Sequence, residues 1–106
     1  MPKFLVHATY TPEGARGILQ GGGSARRTAV EELLTSVGGK LEAFYFSFGD
    51  EDAILIIDLP DNEAALSIGM AVGASGAVRS RTTVLIPIEE VDRAVKRQVH
   101  FRPPGT

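Results

Sequence analysis

The segment Ala53–Leu59, AILIIDL, is apolar at every position except Asp58. Strand spacing puts Ala53, Leu55, Ile57 and Leu59 on one face and Ile54 and Ile56 on the other. A strand that reads as a continuous apolar run is buried on both sides, so any fold built around it must supply two covers. The run is also bracketed by carboxylates: Asp50, Glu51 and Asp52 precede it, and Asp58 and Asp61 end it. A calcium loop places oxygen ligands at alternating positions and closes on a bidentate glutamate; here an apolar strand stands instead. Gly49, Asp50 and Asp52 are turn formers, and Asp61 stands where a helix cap belongs. Asp58 is expected at the rim of the sheet, paired with an arginine.

The rest of the chain supplies one cover. Lys3–Tyr10 alternates and is rich in β-formers, so it reads as a first strand. Thr11-Pro12 is a helix start. The triplet Gly21-Gly22-Gly23 implies a break or a distorted turn, after which Ser24 recaps and Val30, Leu33, Leu34 and Val37 form a half-buried stripe. Lys40–Phe48 and Ala53–Leu59 are strands two and three. Pro60-Asp61 opens a second helix running to about Gly73, with Ala65, Ile68 and Val72 as its stripe. Ala77–Ile86 is strand four. A short third helix, Ile88–Gln98, turns Ile88, Val91 and Val95 inward and carries Glu89/Arg93 and Asp92/Lys96 at ion-pair spacing. The tail His100–Thr106 is extended and leaves His100 exposed or packed.

This β-α-β-β-α-β order, with right-handed crossovers, predicts an α+β, ferredoxin-like antiparallel sheet with both long helices on one face and an extra C-terminal helix. A chain of 106 residues forms one domain, residues 1–106. It has no spare element for the second face, so a second copy is the economical cover. The sheets would meet face to face in a dimeric α+β barrel, as a homodimer or larger assembly.

Composition narrows the partners. A formal net charge of −2 gives no reason to expect nucleic acid or an anionic membrane. No cysteine is present, so disulfides, thiolate catalysis and sulfur-bound zinc are excluded. MPKFLVHATY is not a signal peptide, and no window approaches a membrane span. The expectation is a soluble cytoplasmic protein with neither metal nor cofactor.

Alternation gathers the polar candidates. Phe4, Val6, Ala8 and Tyr10 are assigned to the helices, leaving Leu5, His7 and Thr9 opposite. With Tyr45, Ser47, Arg79, Arg81 and Thr83, His7 then lies on the helix-free face, giving an apolar space with convergent polar groups, the description of a small-molecule site. Arg79 and Arg81 can clamp a carboxylate or phosphate, or pair with acidic residues across the interface. His7 suits general base work or fills the interface with one hydrogen bond. GGGSARR, residues 21–27, reads as a helix break rather than a phosphate cradle, since it lacks the Lys-Ser/Thr of a P-loop.

The stretches PKFLVHATYTPEGARGILQGGG, GGKLEAFYFSFGDEDAILIIDLPDNEAA and ASGAVRSRTTVLIP resemble the GYD domain family. The likeness covers nearly the whole chain. It implies the ferredoxin-like fold and the dimeric α+β barrel superfamily, and leaves the chemistry open. Glu51 stands where the family's signature places a tyrosine, while Gly49 and Asp52 remain. Three functions are carried forward. The first is a homo-oligomeric binding module for a small acidic or aromatic molecule, held by Arg79 or Arg81. The second is a cofactor-independent oxygenase or isomerase with His7 as base and Arg81 or Tyr45 on the enolate oxygen. The third is a purely structural assembly.

Overall fold

Both long helices begin where a short polar side chain meets their free amides. In a computed structural model describing residues 1–106, the Thr11 hydroxyl accepts from the Gly14 amide at 3.4 Å, and the Asp61 carboxylate accepts from the Ala64 amide at 2.8 Å. The order is β1 (Lys3–Tyr10), α1 (Pro12–Thr35), β2 (Lys40–Phe46), β3 (Ala53–Asp58), α2 (Asn62–Ala74), β4 (Val78–Leu85) and α3 (Ile88–Ala94). The strands form one antiparallel sheet in the order β2-β3-β1-β4. This is the ferredoxin-like arrangement expected from the element order.

The register fixes the two faces. Phe4 pairs with Ile57, Val6 with Leu55 and Ala8 with Ala53, placing these six side chains under the helices. Phe4, Ala8, Ala53, Leu55 and Ile57 are buried there with Val30, Leu34, Leu59, Ala64 and Val78. The opposite set on β3, Ile54 and Ile56, is only half-buried. Helices cover one face, and nothing in the chain covers the other.

Three expectations change. The glycine triplet distorts α1 as expected, at a kink between two helical segments; what changes is the cap that follows it. Gly22 has φ 79° and ψ 178°, outside helical space, yet helix resumes on both sides. Ser24 does not cap the second segment; its carbonyl accepts from the Thr28 hydroxyl at 3.2 Å. The residues of GGGSARR therefore stand inside a kinked helix.

Asp58 pairs with Lys3, not with an arginine. Lys3 Nζ lies 2.8 Å from Asp58 Oδ1 and 3.1 Å from Glu42 Oε1. Lys3 stands directly across from Asp58 in the β1–β3 register, whereas the arginines of β4 sit at the other end of the sheet. A register shift between Leu41 and Ala43 accompanies the approach of Glu42. The hydrogen bonds to Asp58 and then Glu42 raise the Lys3 ammonium above the ordinary lysine value.

The third correction is α3. The sequence pattern turns Ile88, Val91 and Val95 inward, but they are 73%, 48% and 75% exposed. Pro87 stands at the cap of α3, and the helix projects from the sheet without burying any residue. The spaced pairs Glu89/Arg93 and Asp92/Lys96 do not close into ion pairs. The radius of gyration is 17.3 Å and the long dimension 59 Å, against about 13 Å for a compact chain of this size.

Candidate functional site

The uncovered face is organised in rows across the strands. Tyr45, Ile54, His7 and Arg81 are successive partners from β2 to β4. One row away stand Ala43, Ile56, Leu5 and Thr83; on the other side Thr9 faces Arg79. The face is therefore graded. Lys3, Asp58 and Glu42 are clustered at one end, Leu5, Ile54 and Ile56 make an apolar middle, and His7, Thr9, Arg79 and Arg81 form the other polar end.

The turn between β2 and β3 reaches over that second end. Asp52 accepts from the Tyr10 amide at 2.9 Å, and its own amide donates to the Ala8 carbonyl at 2.9 Å. The Ser47 hydroxyl donates to the Glu51 carbonyl at 2.9 Å, and the Ser47 amide to the Asp52 carbonyl at 2.9 Å. Asp52 and Ser47 thus fasten the turn to the sheet. That fastening aims the Glu51 side chain inward. An Arg81 guanidinium nitrogen donates to Glu51 Oε1 at 2.7 Å, a charge-assisted bond within the chain rather than across subunits. His7 Nδ1 lies 3.7 Å from the same oxygen, beyond hydrogen-bond length. This nitrogen is buried and has no partner.

His7, Thr9, Asp50, Glu51, Arg79, Ser80 and Arg81 line a depression of about 330 Å³. Arg79 is exposed and makes no ion pair or side-chain hydrogen bond. Of the predicted site residues, His7, Arg79 and Arg81 come together here. Tyr45 lies in the His7 row two strands away, Thr83 lies beside Leu5, and Ser47 braces the turn. Glu51 and Thr9 are not among the site residues that the sequence predicts. Alternation alone places Thr9 beside His7; Glu51 is concealed in a turn where three consecutive acids all read as turn chemistry.

Chemically, the site offers one unpaired guanidinium, a second one held by a carboxylate, and an imidazole nitrogen without a partner. Its edge adjoins an apolar strip. No three His, Cys, Asp or Glu side chains are grouped so as to hold a metal ion, and no helix is long and apolar enough to cross a membrane.

Solved structures with the same fold include the M. tuberculosis feast or famine regulatory protein complexed with L-methionine. It matches with TM-score 0.54 and 20% identity over 82% of this chain and 51% of that one. The M. tuberculosis leucine response regulatory protein LrpA gives 0.51 and 17% over 81% and 51%. MtbAldR gives 0.59 and 19% over 99% and 57%. The chain spans about half the length of these structures. No curated protein matches the sequence. The GYD domain matches residues 4–95, nearly the whole of the folded sheet and helices, and the chain belongs to that family.

Proposed function

We propose that the protein is a homo-oligomeric binding module for a small acid, held between the uncovered sheet face and a second copy. The observation that carries this reading is the graded face itself. Arg79 and Arg81 flank His7 and Thr9 around a polar depression, and Leu5, Ile54 and Ile56 lie in the same and the next register rows beside it. Arg79, without a carboxylate of its own, is the first anchor for the ligand's acid. Arg81 contributes by exchanging part of its bond to Glu51. The apolar strip takes the rest of the molecule. The L-methionine complex of a protein with the same fold supports an amino acid or similar carboxylate as the first class to try. A chain without cysteine suits the reducing cytoplasm, where such metabolites are abundant.

The test is a calorimetric titration with amino acids and small aromatic or aliphatic acids. Binding that weakens at least tenfold in Arg79→Ala, and further in the double variant with Arg81→Ala, is expected from charge-assisted contacts of about 1.5–3 kcal/mol each. Binding indifferent to both substitutions removes the reading. A dimer that binds no member of the panel favours a purely structural assembly.

One observation favours a second reading. The His7 imidazole, its buried Nδ1 3.7 Å from Glu51, supports a reading in which the ring takes a proton from a ligand carbon next to a carbonyl. Solvent-deuterium exchange at that carbon, abolished in His7→Gln, distinguishes a cofactor-independent enzyme from a binding module.

A further inference from the structure

Residues 86–101 carry Ile86, Ile88, Val91, Val95, Val99 and Phe101, exposed at 62%, 73%, 48%, 75%, 78% and 74%. Ile88, Val91 and Val95 follow one another at i, i+3 and i+7, a single helix face. This stripe touches no core of its own chain, because α3 buries nothing and none of these side chains packs against the core cluster. An apolar stripe of that regularity requires a cover.

We propose that residues 86–101 are an exchanged arm, whose apolar stripe lies on a second copy of this chain while the second copy's arm lies reciprocally on the first. The inference rests on the two-copy reading above and adds what closes the assembly. Two observations select a second copy as the occupant. First, the arm leaves the sheet directly from the edge strand β4, beside the uncovered face that itself lacks a cover. A two-fold axis joins both deficits in one step, since a self-complementary interface supplies each patch twice. Second, the areas match. Each large apolar side chain removes roughly 100 Å² from water, so the six of one arm remove roughly 600 Å². A stable interface needs about 800 Å² per partner, and Leu5, Ile54 and Ile56 on the open face supply the remainder. Neither the arm nor the face is sufficient alone.

The test uses the full chain. In the double variant Val91→Asp/Val95→Asp, sedimentation equilibrium is expected to show at least a tenfold weaker dimer. Its far-ultraviolet dichroism and its melting as a dilute monomer should match the parent, because neither residue packs on its own core. An unchanged dissociation constant overturns the proposal. A second measurement uses the absence of native cysteine. A spin label on Val91→Cys, mixed with an isotope-labelled parent chain, is expected to broaden amide signals of the labelled copy. Unbroadened amide signals in the isotope-labelled parent mean that the arm stays on its own chain, and they overturn the exchange. Titration of the same small acids separates the two ideas. An intact dimer in the arm variant, with ligand still bound through Arg79, sinks the arm alone. A weakened dimer whose parent binds acids without need of Arg79 sinks the site alone.

Discussion

Gly22 holds α1 in a conformation that only glycine occupies at low cost. At φ 79° and ψ 178° a side chain meets its own backbone, a penalty of about 1–3 kcal/mol. No neighbour lies within 4 Å of a Cβ built there, so the strain is purely local. Gly22→Ala is expected to lower stability by that amount in urea unfolding, or to straighten the helix and move its exposed first half. Lys3 gives the pH-dependent counterpart. Its folded ammonium is held above the ordinary value by Asp58 and Glu42. A raised pKa contributes stability that is complete below the unfolded value, about 10.4, and is lost as pH rises through the folded value. The parent and Lys3→Met should therefore differ in melting temperature at pH 8 and converge as the alkaline limb is climbed. A gap that persists unchanged along the whole alkaline limb would show that the ion pair is not its cause. Glu51 illustrates the residue that remains hidden in a sequence. Its role depends on the Ser47 and Asp52 hydrogen bonds that turn it toward Arg81, and three acids in a row carry no sign of which one is turned.

At the scale of elements, the legible parts are those governed by short-range chemistry. The Asp61 cap was readable because an aspartate before an amphipathic segment has one favourable place to go. Asp61→Ala should cost about 1 kcal/mol, seen as a lower urea midpoint with unchanged slope, since one amide of α2 loses its acceptor. The strands were readable because alternation has only two phases. The same phase that buries Phe4 and Ala8 places His7 opposite Arg81. What periodicity could not supply was the identity of the cover. The α3 stripe states that Ile88, Val91 and Val95 are to be buried, and the inward assignment supplied the chain's own core as the default. The structure places that core out of reach. Strand two ended early for a related reason. Ser47 and Phe48 continue its pattern, but the Ser47 hydrogen bonds to Glu51 and Asp52 bend the chain into the turn that carries the site.

At the scale of the molecule, Ile56 and Ile57 are neighbours with opposite obligations. Ile57 is 4% exposed beneath the helices, whereas Ile56 faces the uncovered side between Leu5 and Ala43. Ile57→Ala removes atoms from a closed core and should cost about 2–5 kcal/mol of folding stability. Ile56 is only half-buried in the single chain, so Ile56→Asp should lower the dilute monomer's urea midpoint by less than Ile57→Ala does. The larger cost falls on association. Covering one isoleucine contributes about 1.5–3 kcal/mol, and in the proposed dimer a two-fold axis would bring two such residues to the interface. The dimer should therefore weaken by roughly a hundredfold or more, as each 1.4 kcal/mol is a factor of ten. Sedimentation equilibrium and urea unfolding on the two variants separate the effects. If Ile56→Asp loses folding stability as Ile57→Ala does while association stays the same, the open face is an inner face of the monomer, and the cavity assigned to it has no second wall.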